Sequence, residues 1–268
     1  MKMLRATASA YGPVGCRGHG CLGGERLGSQ WLDATDRVGT DRASRLPPMS
    51  PTPGIDIPDH RGRTALDRTG LDLDGNPDVR VTDVELLAAG WHVLRKTTLE
   101  YRDASGTWST QQRETYDRGN GATVLLYDPA ERTVLLTRQF RYPVYVNGHP
   151  DGMLIETAAG LLDDDDPETA IRREAQEETG VRIGEVEHVY DVFMSPGSVT
   201  ERIHFFAAPY EASAPRSDRG GLEAEGEDIE LIELGIDEAL GWIRDGRIQD
   251  AKTIMLLHWA VLEGPFAR

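Results

Sequence analysis

From Ala158 to Gly180 the chain reads as a glycine-bearing approach loop, an acidic turn and a helix dense in glutamate, and this stretch limits what the rest can build. Pro167 suits the first turn of a helix, where its missing N–H is not needed. Gly180 suits the C-terminal cap, where a left-handed backbone ends the helix. On a 3.6-residue period Glu174 and Glu178 stand about one turn apart, with Glu177 three residues from Glu174, so three carboxylates crowd one side. Like charges held together are unfavourable unless a cation compensates them, and hard oxygen ligands grouped in this way suit Mg²⁺ or Mn²⁺. A solvated acidic face is the commoner meaning of a charge run. It does not account for Ala158-Ala159-Gly160-Leu161-Leu162, Arg173-Glu174 and Glu177-Glu178-Thr179-Gly180 arriving together.

The 268 residues are enough to bury a sizeable core. A net charge of −16 argues against general binding to nucleic acid or anionic membranes, which calls for basic patches. It is compatible with a small anionic substrate held by local cations. Cys16 and Cys21 flank His19, one ligand short of a four-coordinate zinc site. So few cysteines fit a reducing, cytoplasmic setting. No run of eighteen apolar residues predicts a membrane span. The first 24 residues also lack the apolar segment of a secretory signal.

Residues 1–78 are rich in Gly, Ser, Pro, Arg and Asp with little apolar periodicity, and read as an extension without a fold of its own. It is either a flexible appendage or translation upstream of the true start. Residues 1–50 carry seven Lys/Arg against four Asp/Glu, a net of +3, which leaves −19 on the remainder. Residues 79–268 read as the folded domain. Val84–Leu87 and Trp91–Arg102 read as early strands, the latter forming a hairpin about Asp103–Gly106 with a strand through Arg113–Tyr116. Ala122–Tyr127 and Thr133–Thr137 form a second hairpin. A long loop is expected after Arg141, then a strand over Met153–Glu156. Further strands are expected over 187–193, 202–208 and 229–234, a polar mobile loop over 212–226, and closing helices near 236–245 and 250–262. This order predicts an α+β fold with a mixed sheet between helices.

Arg173, Glu174, Ala175, Glu177, Glu178, Gly180 and Val181 resemble the Nudix box. Twelve residues separate Gly160 from Arg173 where the family pattern has thirteen, which puts Ala159 at the glycine position and Asp165 at the first acidic one. The flanking segments Tyr116–Ala122, Arg138–Arg141, Val146–Gly148 and Met194–Glu201 resemble the GDP-mannose pyrophosphatase branch of Nudix hydrolases. The resemblance spans roughly residues 84–260. It implies a Nudix α/β/α sandwich with N-terminal antiparallel strands. It also implies Mg²⁺-dependent, or Mn²⁺-dependent, hydrolysis of the pyrophosphate bond of a nucleotide sugar such as GDP-mannose.

The same resemblance assigns the metal to Glu174, Glu178, Glu227 and the Ala159 carbonyl, with Glu177 as a weaker third helix ligand. Glu227 is also a candidate general base. Substrate contacts fall to Arg141, Gly160, Glu201, Lys252 and Trp91, with Gln112, Arg113 and Glu114 reaching in from the partner of a homodimer. Taken alone, Lys252 would be a solvated helix lysine and Arg141 a sheet-edge arginine paired to a carboxylate. Pro196, sixteen residues beyond Gly180, is a feature shared with ADP-ribose-type Nudix hydrolases and keeps ADP-ribose as an alternative substrate. A Nudix-fold sensor that binds a nucleotide sugar without cleaving it is the alternative of another class. The presence of all three helix glutamates disfavours it.

Overall fold

The computed structural model describes residues 75–163, 165–214, 217–222 and 226–267, all within one unit, Met49–Arg268. The extension as far as residue 74, with Cys16, His19 and Cys21, lies outside the described residues. Two sheets follow. In the first, β1 (Val79–Ala89), β2 (Val93–Arg102) and β3 (Trp108–Asp117) pair antiparallel in chain order. The strand expected at Val84–Leu87 is therefore eleven residues long. Trp91 falls in the turn that follows rather than in β2, because the Gly90 N–H bonds to the His92 carbonyl and closes a tight reversal. The β2–β3 turn forms as expected: Asp103 accepts from the Ser105 and Thr107 N–H groups, and Gly106 takes φ 84°.

Val93, Arg95 and Thr97 alternate inward on β2. Arg95 meets the buried carboxylate of Asp117 at 3.3 Å. Removing either partner would strand a charge away from water. Tyr116 exchanges backbone hydrogen bonds with the segment after Pro196-Gly197, donating to Ser198 and accepting from Thr200.

The second sheet has the order β10–β11–β5–β4–β9–β8, with β6 attached to β5 and β7 to β4. Its strands are β4 (Gly121–Asp128), β5 (Thr133–Phe140), β6 (Met153–Glu156), β7 (Ala158–Leu161), β8 (Glu187–Phe193), β9 (Arg202–Pro209), β10 (Arg219–Gly220) and β11 (Ile229–Gly235). β4 and β9 run parallel and the other pairs antiparallel, so the sheet is mixed. β4 and β5 pair only near their hairpin, through Leu126–Asp128. Beyond that point they diverge, and β6 and β7 fill the gap.

The central strands are apolar on both faces because helices cover both. Leu125, Val134, Leu136, Phe205 and Ala207 face α3 (Ile236–Arg244) and α4 (Ala251–Leu262). Ala122, Val124, Leu126, Leu135 and Phe206 face α2 (Pro167–Thr179) with Ile171 and Ala175. Burying Ile171 completely contributes about 1.5–3 kcal/mol. The helices and sheet thus form three layers, as the sequence predicts.

Three expectations are corrected. The loop after Arg141 contains a short helix, α1 (Tyr142–Val146), which Pro143 helps to start. The glycine-bearing approach is strand β7 rather than a loop, since Ala158–Leu161 pair with Gly121–Val124. Within the segment expected to be mobile, Arg219 and Gly220 form β10 against Glu230 and Ile229.

Candidate active site

Helix α2 carries the densest charge of the site and is capped at both ends. Asp166 is the N-cap, accepting from the N–H groups of Glu168 and Thr169, and Gly180 ends the helix at φ 72°. Ile171 and Ala175 hold the helix on the sheet. The next face around presents Glu174 and Glu178 to the end of β7. There the Glu178 carboxylate is buried and accepts the Ala159 N–H at 3.0 Å. Gly160 lies under Glu174 so closely that a Cβ would overlap its carboxyl group.

Burial pushes Glu178 up to about 8, and repulsion from Glu174 and Glu227 adds to this against the Ala159 N–H and Arg141. Glu174 rises to about 7, again chiefly by burial, with Glu177 and Glu227 adding to it and Arg173 opposing. Arg173 braces the outer side, 2.9 Å from Glu174 and 3.2 Å from Glu177, with Asp163 and Asp165 at 3.4 and 3.6 Å. Glu227 arrives from the other side of the helix end. Its carboxylate accepts the Leu222 N–H at 3.1 Å, in a segment tied to α2 by a hydrogen bond from Gly221 N–H to the Glu177 carbonyl. Glu178 and Glu174 therefore meet β7 at Ala159 and Gly160, and the charge of Glu227 reaches both of them. Buried carboxylates that raise one another's pKa are a donor set suited to a hard divalent cation.

Beside this acidic set two buried carboxylates, Glu156 and Asp250, are paired to cations. Glu156, at the end of β6, accepts from Arg141 Nε at 2.6 Å and from Lys252 Nζ at 3.2 Å. Asp250 caps α4 through the Thr253 N–H at 2.9 Å and also receives Lys252 at 2.6 Å. The Thr253 hydroxyl accepts the Thr157 N–H at 2.7 Å, which locks α4 to the β6–β7 junction. Burial opposes the charge of Lys252, but Asp250 and Glu156 outweigh it and its pKa rises. For Arg141 burial likewise works against the charge, and Glu156 more than offsets it. Lys252 is therefore buried and paired, contrary to the solvated position expected of a lone helix lysine.

Glu201 is 7% exposed and lies 3.3 Å from Arg118. Burial pushes its pKa up, while Arg118 and Lys252 pull it down. Trp91, Gln112, Arg113 and Glu114 lie elsewhere, on the first sheet: Trp91 is 67% exposed, and Gln112 reaches Thr98 at 3.4 Å. A hollow of about 600 Å³ opens between α1 and the start of α4, lined by Val144, His149, Leu154 and Asp250 among others. It does not include the glutamates.

Glu156 and Asp250 went unremarked in the sequence. A glutamate closing the apolar run Met153-Leu154-Ile155 was the available signal, because a carboxylate at a buried strand end requires a cation beside it. One consequence is immediate. Gly160→Ala leaves the fold intact, because Glu174 can swing aside. It lowers turnover about a hundredfold, the scale of misplacing a reacting group by roughly 1 Å. Thermal melts alongside steady-state rates check this, and unchanged turnover would remove Gly160 from the site.

Residues 78–116 match the family model described as the GDP-mannose pyrophosphatase NudK N-terminal domain, and residues 117–257 match the NUDIX domain. A GDP-mannose pyrophosphatase of Pectobacterium atrosepticum is 52% identical over 190 residues, covering 71% of this chain and 97% of that protein. One of Yersinia enterocolitica is 56% identical over 180 residues, covering 67% of this chain and 93% of that protein. Among solved structures, an ADP compounds hydrolase superposes with a TM-score of 0.53 at 17% identity, over 70% of this chain and 97% of its own.

Proposed function

Because this chain belongs to the Nudix hydrolase family, whose members generally use divalent metals, we propose that it hydrolyses the pyrophosphate bond of GDP-mannose, taking up water to give GMP and mannose 1-phosphate. The observation that carries the reading is the set of mutually repelling glutamates, with Glu178 buried and pushed up to about 8 and Glu174 half-buried and pushed up to about 7. Glu174, Glu178, Glu227 and the Ala159 carbonyl would hold Mg²⁺, or Mn²⁺ in its place. Bound there, the ion neutralises the pyrophosphate and makes water a better nucleophile at neutral pH.

The chain's own residues do the rest. Glu227 stands on a segment separate from α2 and is the candidate for accepting the water's proton. Glu177 holds Arg173, and Arg173 in turn steadies Glu174. Arg141 and Lys252 offer positive charge to the substrate phosphates from the same side, both leaning on Glu156. Gly160 lets the backbone approach closely, and Glu201 lies near enough to feel the charge of Lys252. Trp91 would meet the nucleotide together with Gln112, Arg113 and Glu114 of the partner subunit in a homodimer, which light scattering would test. A cytoplasmic location belongs to the same reading and is checked by cell fractionation.

Purified protein with Mg²⁺ is offered GDP-mannose, ADP-ribose and UDP-glucose, and the products are separated by chromatography. GMP with mannose 1-phosphate is the expected outcome. Faster release of AMP from ADP-ribose would move the substrate assignment, and tight binding without turnover of any of the three would make the protein a sensor. Glu156→Gln should raise KM about tenfold and lower kcat less, because it loosens two phosphate-facing cations and leaves the metal ligands in place. An unchanged KM would detach Arg141 and Lys252 from substrate.

We also read residues 79–268 as the whole catalytic domain, since 190 residues of this chain span 97% of a relative. Removing residues 1–74 should leave kcat/KM within about twofold. A truncated chain that fails to fold would overturn this division.

A further inference from the structure

A second group of ligating side chains lies on the edge strand β8, apart from the glutamates. Among the described residues, His188, Asp191 and His204 offer three ligand atoms that all lie within 4.8 Å of one another. The strand register explains how. Asp191 pairs directly with His204 across β8 and β9, so their side chains share a face. His188 is three residues before Asp191, and a regular strand would turn the two to opposite faces. A bulge between His188 and Tyr190 inserts one extra residue and restores His188 to the face of Asp191. His188 Nε2 then stands 2.9 Å, and His204 Nδ1 2.6 Å, from the same oxygen of Asp191. The Phe206 ring lies 5.6 Å from that of His188, steeply tilted to it at 73°.

His188 and His204 converge on one oxygen of the Asp191 carboxylate. Arg202 grips the oxygen that the histidines leave. It can orient the carboxylate as an outer partner does around a metal, while its charge limits how tightly a cation is held. β8 ends the sheet and His188 is half exposed, so solvent reaches the group.

We propose that His188, Asp191 and His204 form a second metal site, selective for a divalent transition ion of the Zn²⁺, Ni²⁺ or Co²⁺ type rather than Mg²⁺. Two imidazoles and one carboxylate suit such ions, whereas Mg²⁺ demands oxygen. Bonds of about 2.0–2.1 Å in a tetrahedral site separate ligand atoms by roughly 3.4 Å. The two close contacts must therefore widen by roughly 0.5–0.8 Å, a small movement for side chains at a sheet edge. Water fills the fourth position. The site does not depend on the substrate assigned above.

The test uses the full-length chain with Cys16→Ser and Cys21→Ser, so that the N-terminal thiols take no ion, in excess Mg²⁺. Zn²⁺ is titrated by calorimetry, and Co²⁺ is followed by the visible absorption of its four-coordinate form. One transition-metal equivalent should bind and persist in a Glu174→Gln/Glu178→Gln background. His188→Gln and His204→Gln should each weaken it at least tenfold without changing the melting temperature of the metal-free protein. An equivalent that survives both histidine variants but disappears with the glutamates would overturn the proposal. So would the absence of any binding in the cysteine-free protein.

Discussion

Glu178→Gln should lower turnover by about 10²–10⁴-fold while leaving the metal-free protein as stable as before, or more so. The first effect follows from the several kcal/mol of transition-state stabilisation that a divalent ion held by Glu178 would supply, each 1.36 kcal/mol being a factor of ten. The second follows from the surroundings of Glu178. Its carboxylate is buried, pushed up to about 8, and repelled by Glu174 and Glu227. Glutamine keeps the shape and an oxygen for the Ala159 N–H, and removes the repulsion. Under the proposed reading, added Mg²⁺ should raise the melting temperature of the parent protein, since an ion held by the assembled glutamates would favour the folded state. It should do so far less in the variant. Opposite signs for activity and stability separate a ligand from a structural carboxylate. A variant with full turnover, or one that is less stable without metal, would show that Glu178 is not a ligand.

Gly220→Ala should cost about 1–3 kcal/mol, the usual range for overpacking a well-packed site. At roughly 2–4 °C per kcal/mol this is a fall of about 2–12 °C in melting temperature. A Cβ at this position would overlap the carbonyl oxygen of Glu178, and backbone cannot swing aside as a side chain can. β10 would have to lift from the last turn of α2. The neighbouring Gly221, whose own Cβ position lies 2.8 Å from Glu227 Cβ, would carry Glu227 away from the other glutamates. Activity should therefore fall with stability. Gly184→Ala is the control, because a Cβ there meets nothing within 4 Å. Equal melting temperatures and rates for the two variants would show that this packing is not required.

Much of this molecule is legible along the chain because it depends on local rules. Asp166-Pro167 and Gly180 mark both ends of α2 through capping, and the spacing of its glutamates follows from the helical period alone. Alternate residues of β4 and β5 turn to opposite apolar layers, which their dense Val and Leu content anticipates. The short strands escaped notice for an equally physical reason. β7 and β10 are only four and two residues long, too short to show a period, and each is defined by the strand it pairs with rather than by its own pattern.

The sequence by itself determined the acidic helix, its caps and the alternation of the central strands, because neighbours within a few residues are enough to specify them. Only the tertiary structure decided which carboxylates lose their water and which cations meet them. Glu156 joins Arg141 to Lys252 across 96 residues of chain from β6 to α4, and a bulge in β8 turns His188 toward Asp191. Burial and charge pairing arise from segments distant in sequence meeting in space, and no local period encodes that meeting.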